Sequence, residues 1–233
     1  AGRRRHCVKG FFSFREHGTI FSTEGCVMGF YNKYVLPRFL NAACGTKPII
    51  KQREKVVPAC TGRVLEVGMG SGLNLSFYDP DKVDMVFGLE PAPEMVARAK
   101  PLAEKAAFPV EFIDLPGEEI PLEDNSVDTV LLTYTLCTIP GTLAAMEGMR
   151  RVLKPGGTLL FSEHGRAPDA AVQKWQDRLN GVWGRIAGGC NINRDIPTLI
   201  EEGGFKITDM DAMYVPSTPR ILGFTYWGAA QIR

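Results

Sequence analysis

From Arg63 onward, short apolar runs alternate with stretches whose apolar residues recur every three or four positions. The runs predict strands at Arg63–Val67, Asp84–Leu89, Val110–Ile113, Val127–Thr133 and Thr158–Glu163. The periodic stretches Leu73–Tyr78, Pro93–Glu104, Thr142–Val152, Ala170–Ile186 and Arg194–Glu202 read as helices. Such alternation implies an α/β fold, a mostly parallel sheet with helices on both faces. The tail breaks the rhythm. Phe205–Tyr214 and Ile221–Ala230 are both strand-like, with only V-P-S-T-P-R between them. A parallel crossover needs a dozen or more residues, so these two must pair antiparallel. Ahead of the first strand, Phe30–Val57 is helical and amphipathic, with Tyr31, Tyr34, Val35 and Phe39 in register and Pro37 placed to kink it.

Composition narrows the class. A chain of 233 residues, 45% apolar, suits one α/β domain with a short extension. A net charge of +1 gives no broad nucleic-acid footprint. No apolar run is long enough for a membrane span, although the aromatic stretch near Phe30–Leu40 would suit peripheral contact. The cysteines at 7, 26, 44, 60, 137 and 190 form no C-x-x-C pair, so no metal site is expected, and they read as free thiols of a cytoplasmic protein. Residues 1–28 differ from the rest: three arginines, then three phenylalanines, then Gly, Ser and Thr. They read as an extension, either non-native or an organelle-targeting segment, with residues 29–233 forming the domain.

The first strand runs into V-L-E-V-G-M-G-S-G-L-N, Val64 to Asn74. Glycines let the backbone turn tightly and approach a ligand with no Cβ in the way. A dinucleotide fingerprint, G-x-G-x-x-G, would need its third glycine where Leu73 stands. The observed spacing is E-x-G-x-G-x-G. Glu66 would repel a pyrophosphate but tolerates a cationic cofactor. Glu90 ends the second strand, close to the spacing at which a carboxylate takes ribose hydroxyls.

In these residues the sequence resembles the class I S-adenosylmethionine-dependent methyltransferases. S-V-D-T-V-L-L-T (Ser126–Thr133), R-R-V-L-K-P-G-G-T-L (Arg150–Leu159) and the paired tail strands carry the same resemblance. It implies a Rossmann-like sheet of seven strands with the last inserted antiparallel, and S-adenosylmethionine as cofactor. The cofactor contacts it implies are Glu66, Gly68, Met69, Gly70, Gly72, Asn74, Glu90 and Pro91. After the third strand, I-D-L-P-G-E-E-I puts Gly117 and Glu118 at the adenine edge, with Asp114 as an earlier carboxylate. After the fourth, T-Y-T-L-C-T-I puts Thr135, Leu136 and Cys137 beneath the cofactor.

L-C-T-I, S-E-H-G (Ser162–Gly165) and G-C-N-I-N-R-D together resemble the methyltransferase-like seven branch, which methylates small thiols. The expected partner is therefore a small-molecule methyl acceptor. The alternatives are an O-, N- or C-methyltransferase on a quinone precursor or lipid head group, and a binding module without catalysis. A thiol acceptor needs little help from a base, whereas a hydroxyl needs one. His164, at a strand's carboxyl end, is the histidine placed to act as base or to orient the acceptor. Trp175 and Trp183 read as core-facing residues of their helix. In G-G-C-N-I-N-R-D-I, Asn193 reads as the N-cap of the last helix, with Asp195 favouring its positive end. Asn191 and Arg194 are the candidates for the acceptor side.

Overall fold

The computed structural model describes Leu36 and residues 43–233. The stretch Tyr31–Phe39, Leu36 apart, and the extension 1–28 lie outside the described residues. The elements are α1 (Lys47–Val56), a 3-10 turn (Val57–Ala59), β1 (Gly62–Val67), β2 (Val83–Leu89), α2 (Pro93–Ala103), β3 (Val110–Ile113), β4 (Val127–Thr133), α3 (Thr142–Val152), β5 (Leu153–His164), α4 (Ala170–Ile186), α5 (Ile196–Glu202), β6 (Phe205–Tyr214) and β7 (Phe224–Ile232). One seven-stranded sheet has the order β3-β2-β1-β4-β5-β7-β6. The first five strands are parallel. β7 runs antiparallel to both neighbours.

The central strands are buried on both faces, as their unbroken apolar runs require. Leu65, Val67, Val130, Leu132 and Phe161 face α3 and α5; Val64, Val86, Leu131 and Leu160 face the other side. The order of the sheet reverses at β1, which pairs with β2 on one side and β4 on the other. The crevice beyond the carboxyl ends of these strands is where ligands bind in open α/β sheets.

Three local readings are corrected. Leu73–Tyr78 is not a helix but a chain of tight turns with i→i+3 bonds, Leu75 N–H to Gly72 O and Phe77 N–H to Asn74 O. Gly72 at φ +77° starts it in a non-helical conformation, and Asn74 and Tyr78 are drawn inward to Glu66. The last helix begins at Ile196, with Asp195 as its cap: the Asp195 carboxylate accepts from Thr198 N–H. Asn193 lies two residues too early and donates to Asp177 instead. Trp175 is not core. It is 52% exposed and shares a solvent-facing stripe on α4 with Leu179, Val182 and Ile186. The residue that α4 buries is Gln176, whose amide ties together Gly165 O, Ile192 O, Ile221 O and Ala167 N–H.

Candidate active site

The glycine loop leaves β1 and folds back on two neighbours. Gly68, Gly70 and Gly72 all have positive φ, which disfavours any residue with a Cβ. Gly68 has the strictest need. A Cβ there would lie 2.3 Å from the Thr135 side chain. Gly70 has room, with only Met95 near, at 3.5 Å. Its N–H donates to Glu90 Oε2 at 2.9 Å, and Ala92 N–H donates to Oε1 at 3.0 Å. Glu90 is thereby aimed at the crevice, with Pro91 exposed beside it. Burial raises the Glu90 pKa, against the pull of these two N–H groups. Met69 turns its side chain away, into the space left by Gly88 on β2.

Glu66 does not reach the crevice as a free carboxylate. It is fully enclosed, accepting from Asn74 Nδ2 at 2.8 Å and from the Tyr78 hydroxyl at 2.6 Å. Burial pushes its pKa up to about 7 despite those donors and Arg53 nearby. Arg53, on α1, is the residue that sequence reasoning missed. It is 5% exposed, and its Nη1 donates to Asn74 Oδ1 at 2.8 Å and to Thr133 Oγ1 at 2.7 Å. Its guanidinium also sits 5.5 Å from the Tyr134 ring centroid. The signal available was a lone Arg in an amphipathic helix, which ordinarily marks a solvent face.

The end of β4 meets the end of β5 through a second buried carboxylate. Glu163 Oε1 accepts from Thr135 N–H at 2.8 Å and Leu136 N–H at 3.1 Å, which holds the turn after β4. Burial pushes Glu163 up to about 7 as well, against those same donors. Tyr134 enters this turn at φ +57°, a conformation costly for an aromatic residue and held by its surroundings. Its ring stacks with His164 at 6.1 Å.

His164, Cys137 and Cys190 meet here. Cys190 Sγ lies 3.3 Å from His164 Nε2 and 3.7 Å from Cys137 Sγ. The Cys137 thiol and burial raise the Cys190 pKa, with His164 opposing them. Burial lowers that of His164, but Cys190 and Glu163 outweigh it and the net shift is upward. The sequence shows no cysteine pair because the two thiols come from separate loops.

Asn191 and Arg194 both bond to backbone carbonyls of the turn after β4. Asn191 N–H and Nδ2 both donate to Cys137 O, at 2.9 and 3.1 Å. Its Oδ1 accepts from Asn180. Arg194 Nη1 donates to Leu136 O and to Ile139 O, the latter at 2.8 Å. The pair clamps the post-β4 turn against the segment that carries Cys190. Gly117 packs against Ile139 and Val67. Glu118 accepts from Gly141 N–H at the start of α3, which occupies one of its oxygens. Asp114 is exposed and electrostatically coupled to Glu90.

The family profile described as a methyltransferase domain matches residues 65–161. The chain is 32% identical over 180 residues to the human thiol S-methyltransferase TMT1B, covering 72% of this chain and 73% of that protein. The chain belongs to the class I S-adenosylmethionine-dependent methyltransferases. Outside the thiol enzymes, it is 33% identical over 133 residues to a phosphatidylethanolamine N-methyltransferase of Cereibacter sphaeroides, covering 55% of this chain and 64% of that one. In fold, the methyltransferase is similar to a SAM-dependent methyltransferase of Leishmania major, at a TM-score of 0.63, 17% identity, and coverage of 92% and 87%. The inserted antiparallel strand and the glycine turn are thus features of a methyltransferase. Its cofactor is S-adenosylmethionine, and the cradle fits it: three glycines at positive φ shape the turn after β1, and the buried Glu90 carboxylate just past β2 is held beside it by the Gly70 and Ala92 N–H groups.

Proposed function

We propose that this methyltransferase transfers its methyl group to the sulfur of a small thiol. The observation that carries the reading is the identity shared with thiol S-methyltransferases, which spans about two thirds or more of both chains. The polar character of the β4–β5 end supports it. The titratable groups nearest that end are two thiols and an imidazole, with Glu163 turned into the backbone. A hydroxyl acceptor would need a free base, whereas Glu163 is spent on two backbone N–H groups and His164 Nε2 faces Cys190 Sγ; a thiol already has a few per cent of thiolate at neutral pH.

When bound, S-adenosylmethionine supplies a methyl carbon activated by its sulfonium. The chain's own work is to hold and to align. Glu90 would take the ribose diol, the Gly68–Gly72 backbone the aminoacyl end, and Asp114 rather than Glu118 the adenine amino group. Glu66, with Asn74 and Tyr78, would set the loop's shape beneath the cationic end. Thr135, Leu136 and Cys137 would form the floor, held by Glu163.

Transfer of a labelled methyl group to 2-mercaptoethanol, against phosphatidylethanolamine vesicles and a soluble quinol, tests the reading. Methyl sulfide as the main product is expected. Turnover with the phospholipid or the quinol, and none with the thiol, would instead select the N-, O- or C-methyltransferase. Tight binding of S-adenosylhomocysteine with no transfer to any acceptor would leave only a binding module.

A further inference from the structure

Among the described residues, Cys137, His164 and Cys190 form a cluster that could hold a metal ion, with all three ligand atoms within 4.8 Å of one another. Two distances decide what it resembles. The sulfurs are 3.7 Å apart, and Cys190 Sγ is 3.3 Å from His164 Nε2. Around a tetrahedral zinc ion, with Zn–S about 2.3 Å and Zn–N about 2.0–2.1 Å, ligand atoms stand roughly 3.8 Å and 3.6 Å apart. Two edges of the triangle therefore match those of one face of such a tetrahedron before any ion enters, and the third is no longer than 4.8 Å.

The backbone behind each ligand is fixed by contacts that serve no other evident purpose. Asn191 holds Cys137 O twice, Arg194 holds the carbonyls on either side of that turn, and Gln176 and Asn180 both grip Ile192 beside Cys190. His164 is anchored by β5, at whose end it pairs with Thr225. Supporting contacts of this kind orient first ligands and tune a bound metal. Two thiolates and an imidazole favour zinc over magnesium or calcium. Three protein ligands with one position left open is the pattern of catalytic zinc.

We propose that Cys137 Sγ, Cys190 Sγ and His164 Nε2 bind a thiophilic divalent cation, zinc foremost, whose fourth position takes the acceptor's sulfur as a thiolate. The acceptor role rests on the S-methylation reading above; the metal site itself does not. When the metal binds, the Cys137 and Cys190 S–H bonds break, their protons pass to solvent and two sulfur–metal bonds form; when the acceptor follows, its S–H bond breaks, its proton likewise passes to solvent, and a third sulfur–metal bond forms. No electron changes hands. The bound thiolate keeps lone pairs for attack, so no side chain has to act as its base.

The test uses the full chain, purified in its reduced form and dialysed against metal-free buffer. Elemental analysis is expected to find about one zinc per chain, as expected for a site with three protein ligands. Replacing zinc with cobalt(II) should give thiolate-to-cobalt charge-transfer absorption. Cys190→Ser and Cys137→Ser should each lose both signals while keeping a native circular-dichroism spectrum and a cooperative urea transition, which shows that they fold. Cys60→Ala, at a buried thiol in the opposite core layer, should keep them. Absent zinc and cobalt binding, zinc retained by both serine variants, or a Cys137–Cys190 disulfide in freshly purified protein would overturn the site. Adding 2-mercaptoethanol to the cobalt protein should shift its ligand-field bands. Unshifted bands in metal-loaded protein overturn the acceptor position while the metal site stands. Shifted bands with methyl transfer only to the phospholipid amine support the site and overturn S-methylation.

Discussion

At the β1–β2 end, one short loop and the next strand bring the glycines and Glu90 together, and the contacts are mostly backbone N–H groups and a carboxylate. At the β4–β5 end, Cys137, His164 and Cys190 arrive from three segments separated by α3 and α4, and side-chain clamps hold them. The first end depends on conformations that only glycine adopts easily. The second depends on long-range packing. Arg53 is bonded to both, touching Asn74 on one side and Thr133 and Tyr134 on the other.

Arg53→Met would break the comparison most severely, since it removes the shared member. Asn74 and Thr133 would keep other bonds but lose their charged donor, and Glu66 would lose a nearby positive charge. Breaking a buried charged network by removing one partner costs about 3–5 kcal/mol. Urea unfolding should show that loss, and S-adenosylhomocysteine affinity should fall with it. Gly68→Ala attacks the first end alone. Its Cβ would overlap Thr135, and φ +71° adds strain; together about 3 kcal/mol is expected. Titration calorimetry should show weaker cofactor binding. Gly70→Ala, at φ +59° but with open space, should cost about 1 kcal/mol. Equal losses for the two glycines would mean that the Thr135 contact is unimportant.

Glu66 sharpens the contrast through pH. Its folded pKa of about 7 exceeds the value of 4.5 for a free glutamate. Between those values the native state holds the extra proton, so stability from this group is present below pH 4.5 and lost as pH rises towards 7. Unfolding in urea at pH 5 and pH 7.5 should therefore show a larger drop for the native chain than for Glu66→Gln. An identical drop would place the ionisation elsewhere. The smallest effect is expected at α5: Asp195→Ala should cost about 1 kcal/mol by removing the cap and leave cofactor binding unchanged.

The same division explains which parts of the molecule could be read from the chain. The central strands were visible because doubly buried strands are continuous apolar runs, and the observed β3, β4 and β6 match their predicted limits. Glu90 and the glycines were visible because their roles are local. Arg53 was not, since its burial is created by Asn74 and Thr133 at distant positions. Asn191 and Arg194 were singled out from the sequence, but the carbonyls they hold in the turn after β4 are ones that no side-chain pattern records. Asp195 was read as a charge favouring a helix start, when it is the cap itself; the choice between it and Asn193 turns on Asp177, which holds Asn193 from α4.

The insertion of β7 between β5 and β6 also sets an order in time. During synthesis β6 emerges before β7, yet its place in the sheet exists only after β7 has paired with β5. Until then the outer edge of β5 is open, and His164 lacks the neighbour Thr225 that fixes its strand end. The glycine loop and Glu90 need only β1, β2 and β4, all made much earlier. Domains generally fold as units, so the strand made last, β7, is the one whose arrival closes the sheet and completes the acceptor end.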